Sequence, residues 1–192
     1  ALYKLEKKEN PNVGALWRAN NSIAINFDDW NKPDSALFFH KRALSYFKGK
    51  DTLKIPSTYN NIGNTLLKQK KYKEAKRWLT SGLKMSEQIE TKKDVKFNYS
   101  RATLYTNLAT IESRLGNYKE AEKWFALAYD SSKKSKSAEK LRDIYAARAE
   151  FYTTTKNYEK AVADLEKYVI IRDSVFDKER SRTFAELEVK YQ

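Results

Sequence analysis

Cysteine is missing from all 192 residues. That excludes disulfides, thiolate zinc sites and a cysteine nucleophile together, and it leaves the redox compartment open. Glycine and proline are scarce, with 5 and 3 copies, too few for the many tight turns of an all-β protein. The glycines never cluster, so no phosphate-cradling loop exists. Histidine occurs once, at His40, which removes multi-histidine metal sites and leaves a Ser-His-Asp arrangement only formally open. Its neighbours Phe38, Phe39 and Lys41 place it on a helix, where a partly exposed structural role is expected. Asp28 and Asp29 are adjacent and point about 100° apart on a helix, so they end a helix or sit in its turn rather than form an acid pair. No apolar run approaches the roughly 18 to 20 residues that cross a bilayer, and the N-terminus carries no signal-peptide h-region. No catalytic residue, metal ligand or cofactor is assigned.

What is present favours a folded chain. Apolar residues make up 41% and aromatics 14%, against 33% charged residues and a mean hydropathy of -0.81. That apolar share is too high for disorder. Lys and Arg number 38 against 25 Asp and Glu, a net charge of +13, which would attract acidic partners, nucleic acid or anionic surfaces. The densest basic run, Lys68, Lys70, Lys71, Lys73, Lys76 and Arg77, is broken by Tyr72, Ala75 and Trp78 at helical spacing. It has the pattern of a solvated helix face, which disfavours a dedicated polyanion site, nucleic acid included.

An internal repeat organises the chain. Three segments align: Tyr59 to Gly63 with Tyr72 to Ala75, Tyr105 to Ala109 with Tyr118 to Ala121, and Tyr145 to Ala149 with Tyr158 to Ala161. In each, a small residue precedes an alanine by twelve positions: 63 and 75, 109 and 121, 149 and 161. A weaker copy has Ala24 and Ala36 at the same offset, with Pro33 in place of Tyr. Between alanines 36, 75, 121 and 161 the spacings are 39, 46 and 40. Such a period marks a solenoid of supersecondary units, each unable to bury its apolar surface alone.

Each copy predicts two helices. In the second, Tyr59, Ile62, Gly63 and Leu66 form one stripe over about Ser57 to Gln69, with Pro56 at its start and Ser57 or Thr58 available to cap. Lys70-Lys71 turns into a helix with Tyr72, Ala75, Leu79, Gly82 and Leu83 buried. Gly116-Asn117 makes the equivalent turn, and Asn157 the next. The small residues let paired backbones approach, Gly63, Ala109 and Ala149 facing Ala75, Ala121 and Ala161. Tyr59 and Leu66, Tyr105 and Phe125, and Tyr145 and Leu165 fill the flanks. Residues 49–56, 90–96 and 133–137 are inter-repeat loops too short to separate domains. One domain is therefore expected, with repeats near 17–48, 56–89, 102–135 and 142–174 and a capping or linker helix over 176–192. A further helix is expected from Ala1 to Asn10.

These copies resemble the tetratricopeptide repeat. Tyr105, Leu108, Ala109, Gly116, Tyr118, Ala121, Phe125 and Ala128 match its pattern almost throughout, and the likeness runs from about Leu16 to Asp173. Arg148 stands where the pattern has Leu, Tyr168 where it has a small residue, and the repeat-ending Pro is missing. The resemblance implies an all-α, right-handed superhelical solenoid of antiparallel helix pairs with no enzymatic activity. The stretch from Tyr168 to Phe176, followed by Glu186 to Tyr191, is similar to the end of the repeat region in Bacteroidetes sensor proteins of the histidine kinase or DNA-binding regulator type. That likeness implies a ligand-sensing or scaffolding region, periplasmic if it belongs to such a sensor and cytoplasmic otherwise. A membrane is then met only through segments outside this chain.

In this family the first helix of each pair lines a concave groove. Subtracting the buried stripe leaves Asn60, Asn61, Asn64 and Lys68 in the second copy, Asn107, Thr110 and Arg114 in the third, and Asn21 in the first. Asparagine both donates and accepts, so a row of them suits an extended peptide backbone, while Lys68 and Arg114 suit carboxylates. Asn61 and Asn107 have an equal alternative, bridging neighbouring repeats or bonding water. A protein or peptide ligand, acidic ones included, is the expected partner, with a polyanion- or nucleic-acid-binding adaptor as the competing reading of the +13 charge.

Overall fold

The computed structural model describes residues 12–47, 54–93 and 98–191. The helix expected over Ala1 to Asn10 lies outside them. Within them run eight helices and no strand: α1 (Val13–Asp29), α2 (Pro33–Ser45), α3 (Lys54–Lys68), α4 (Tyr72–Lys93), α5 (Asn98–Arg114), α6 (Tyr118–Ser135), α7 (Ala138–Thr154) and α8 (Tyr158–Tyr191). They pair as hairpins, α1 with α2, α3 with α4, α5 with α6 and α7 with α8. Each later pair stacks through its first helix, α5 lying on α3 and α4, and α7 on α5 and α6. The product is the solenoid that the repeat implies.

The hairpin turns share one device. Asn31, Lys70, Gly116 and Lys156 hold φ of 54°, 60°, 80° and 60°. The amide after each then donates to the carbonyl five residues back: Lys32 to Phe27, Lys71 to Leu66, Asn117 to Glu112 and Asn157 to Tyr152, at 2.8 to 2.9 Å. This closes a helix C-terminus by satisfying a carbonyl that has no partner within the helix. At the other ends, Asn12 accepts from the Ala15 amide at 3.0 Å and Ser137 from the Lys140 amide at 3.2 Å, and Pro33 opens α2 where its missing N–H costs nothing.

The core follows the predicted stripes in the middle of the chain. Ile62 and Leu66 of α3, Leu79 and Leu83 of α4, and Leu104, Leu108 and Ile111 of α5 form one buried cluster around Ala75. Ala109, Ala121, Phe125 and Phe151 form the next. Tyr59 packs on Trp78 at 5.3 Å and Tyr105 on Trp124 at 5.6 Å between ring centroids. Gly63 leaves its space to Leu79, one turn beyond Ala75: a Cβ there would lie 2.5 Å from Leu79 Cδ2.

Several details differ from expectation. α8 runs unbroken from Tyr158 to Tyr191 instead of ending near Asp173 ahead of a separate 176–192 helix, because neither Gly nor Pro interrupts that stretch. α3 begins at Lys54, which puts Pro56 in the first turn, where it breaks no helical hydrogen bond. Lys133 to Ser135 are helical, so the loop before α7 is reduced to Lys136 and Ser137. His40 is wholly buried rather than partly exposed, and Leu165 is exposed rather than filling the α7–α8 flank.

Candidate groove and the polar network beside it

The first helices present their polar faces to one another across the repeats. Leu67 of α3, Thr103, Thr106, Asn107 and Thr110 of α5, and Lys140, Asp143 and Ala147 of α7 line a single cavity of about 300 Å³. Three consecutive first helices therefore contribute to one concave site. Asn107 and Thr110 were predicted for it. Thr103, Thr106, Lys140, Asp143 and Ala147 were not, although Thr103, Thr106 and Thr110 share the i, i+3, i+7 spacing of Asn107's face.

The asparagines tie repeats together. Asn107 Nδ2 donates to Asn60 Oδ1 at 3.0 Å, joining α5 to α3, and Asn61 Nδ2 donates to Asn21 Oδ1 at 3.4 Å, joining α3 to α1. Asn64 is half-buried and Lys68 exposed. Thr110 donates to the Thr106 carbonyl at 3.0 Å, the backbone bond helical threonines commonly make. Arg114 forms an ion pair with Glu150 of α7. In the cavity wall, Asp143 accepts from Arg142 at 2.8 Å, and Lys140 Nζ stands 3.9 Å from it. An ion pair as exposed as Arg114–Glu150 contributes little to stability.

Asn21 is the correction. Placed on the groove by its spacing, it is buried, because α2 and α3 close over it. Its Oδ1 accepts from His40 Nδ1 at 2.8 Å and its Nδ2 donates to the Trp17 carbonyl at 3.2 Å. On the other side of the imidazole, His40 Nε2 faces Asp28 Oδ2 at 3.7 Å, and the same carboxylate oxygen accepts from Thr65 Oγ1 at 2.7 Å. Burial pushes the His40 pKa below its ordinary value, with Asp28 pulling against the shift. His40 and Thr65 are fully buried here, and with the Asp28 carboxylate they tie α1, α2 and α3 together.

Two more buried charges have partners. Burial alone would raise the Glu112 carboxyl, but hydrogen bonds from Lys76 (2.6 Å) and Asn117 (2.8 Å), with the Lys76 charge, outweigh it and hold the group below its usual range. Arg148, the departure from the repeat pattern, donates twice to Asp164 of α8 at 2.6 and 2.7 Å and lies within 6 Å of the rings of Tyr129, Tyr145 and Tyr152. Among the described residues, no three His, Asp or Glu side chains gather as metal ligands would.

Comparison with known proteins agrees with this architecture. Two family models, each described as tetratricopeptide repeat, match residues 57–90 and 100–180. Among solved structures, BtubC from P. vanneervenii superposes with a TM-score of 0.70 at 16% identity, over 91% of this chain and 70% of that one. The apo form of RapI gives 0.66 at 19% identity, over 97% and 65%, and MamA 0.54 at 15%, over 92% and 88%. At these identities the likeness concerns the fold, and the chain spans only 70% and 65% of the first two proteins.

Proposed function

We propose, for a chain that belongs to the tetratricopeptide repeat family, that its concave groove holds a peptide or protein segment as the sensing or scaffolding region of a bacterial signalling protein. Domains of this family are generally non-catalytic interaction modules, and a protein-interaction or scaffolding role follows from the fold. The observation behind the sharper reading is the cavity built by α3, α5 and α7 together. A ligand lying across it touches three repeats at once and so favours one stacking geometry over others. Backbone amides of an extended segment find Asn107, Thr103 and Thr110, and its carboxylates find Lys140 and, by exchange with Glu150, Arg114. The 34-residue α8, rooted against α7, offers the path by which a changed stacking leaves the solenoid. Placement in the periplasm belongs to the same reading.

The experiment is site-directed photo-crosslinking. A crosslinker at Thr110 is expected to capture a partner that one at the outward Lys123 does not, and Thr103→Arg with Asn64→Arg, the crosslinker kept at Thr110, is expected to abolish capture while helicity is unchanged. Equal capture from both positions would remove the groove. A polyanion adaptor is the second reading. It is favoured by a surface cavity of about 330 Å³ at the α3–α4 turn, lined by Lys70, Lys71, Tyr72, Lys73, Glu74 and Leu115. It requires retention on heparin at about 0.15 M salt and an affinity that falls by roughly one log unit per phosphate contact for each log unit of salt.

A further inference from the structure

Among the described residues, α8 keeps exposed an apolar face whose counterparts in α4 and α6 are covered. Counting from the alanine of each second helix, the positions four and eight residues on are Leu79 and Leu83 in α4, Phe125 and Tyr129 in α6, and Leu165 and Val169 in α8. In α4 both are buried, in one cluster with Leu104, Leu108 and Ile111 of α5. In α6, Phe125 meets Phe151 at 5.5 Å and Tyr129 meets Tyr145 at 6.2 Å, both from α7. In α8, Leu165 and Val169 stand 47% and 40% exposed. Tyr158, Val162 and Phe176 extend the same stripe at 61%, 54% and 62%. Steps of three, four and seven along the helix put them on one side of it. Contiguous exposed apolar surface of this kind marks a place where another chain segment packs.

Charge says what kind of segment. Glu159, Glu166 and Asp173 recur every seven residues beside the stripe and are exposed, an acidic rail in a protein of net charge +13. Asp173 shares its charge with Arg172 at 2.8 Å, an exposed pair that solvent screens. A second copy lying antiparallel on this helix would set rail against rail, which like-charge repulsion disfavours. A helix with basic flanks meets no such penalty.

We propose that this face of α8 is a docking site for a basic amphipathic helix bearing large apolar side chains at i, i+4 and i+7, the spacing of Leu104, Leu108 and Ile111. The occupant continues the mode by which α5 covers α4, and the site is independent of the concave groove. The test uses two synthetic 18-residue helices with leucines at that spacing, one flanked by lysines and one by glutamates, titrated against the intact chain. The lysine peptide is expected to bind at least about tenfold more tightly than the glutamate one, against the bias of the protein's overall charge. Val162→Asp with Val169→Asp, both at exposed positions, is expected to cost at least about tenfold in affinity with the melting curve unchanged, and Glu159→Lys with Glu166→Lys to erase the preference for lysine. Absence of binding, binding indifferent to the valine changes, or a concentration-dependent dimer lost in Val162→Asp would each overturn the proposal, the last by making a second copy the occupant.

Discussion

The junction between the first two repeats and the junction between the next two solve the same packing problem with opposite chemistry. Between α1–α2 and α3, buried contacts run through Asn21, His40, Asp28, Asn61 and Thr65, with Trp17 Nε1 donating to Thr58 Oγ1 at 2.7 Å. Between α3–α4 and α5 they run through leucines and isoleucines, and Asn107 to Asn60 bridges only at the rim. Apolar burial is non-directional, whereas a buried hydrogen bond is satisfied only within a narrow range of distance and angle and is costly when broken. The first junction therefore specifies alignment more than it adds stability, and the second the reverse.

That contrast can be broken from the apolar side first. Leu108→Ala, in the buried cluster around α5, is expected to cost about 2 to 5 kcal/mol through lost burial and a cavity, read by denaturant unfolding; a loss under about 1 kcal/mol would show that the cluster collapses around the gap. Gly63→Ala adds the opposite defect, a methyl 2.5 to 2.6 Å from Leu79 Cδ2 and Cγ, and is expected to cost about 1 to 3 kcal/mol. An unchanged or raised melting temperature would mean that Leu79 moves aside freely.

The polar junction should answer to pH as the apolar one does not. His40 has a folded pKa below its ordinary 6.5 because it is buried, so the unfolded chain takes up the proton first. Stability is then complete above about 6.5 and falls as pH drops from there through the lowered value. Melting temperature is expected to decline between about pH 7 and pH 5, and His40→Gln to flatten that slope. Glu112, whose pKa is lowered from 4.5, loses its contribution only at pH below that ordinary value, so the two windows separate. A slope unaltered by His40→Gln would assign it elsewhere. The smallest effect is expected of Asn107→Ala, about 0.5 to 1.5 kcal/mol for one inter-repeat hydrogen bond, measured in the same unfolding assay.

The fold was legible because its signal is local and repeated. Gly63, Ala109 and Ala149 announce the helix pairs through a fixed offset, and Lys70, Gly116 and the residues around Asn157 mark the turns. What the spacing cannot carry is the partner across a junction. Nothing near Asn21 in the chain foretells that His40 and Asn61 will engulf it, so a groove role was assigned to a core residue. Arg148 looked like a flaw in the pattern until Asp164 stood opposite, at the position that Trp78 and Trp124 hold in the preceding pairs. Asn61 and Asn107 carried two readings, and their inter-repeat bonds are the bridging one. Leu165 fits the repeat pattern as well as Phe125 does, but no described helix packs on it as α7 packs on Phe125.

α7 has 17 residues and α8 has 34, so about half of the final helix, some 25 Å at a rise of about 1.5 Å per residue, projects past its partner. A projection of that length converts angle into distance. A tilt of about 10° where α8 leaves α7 carries the far tip about 4 Å, nearly the rise of three helical residues. Small rearrangements among the repeats thus arrive at the end of the chain as displacements comparable to a change of side-chain register.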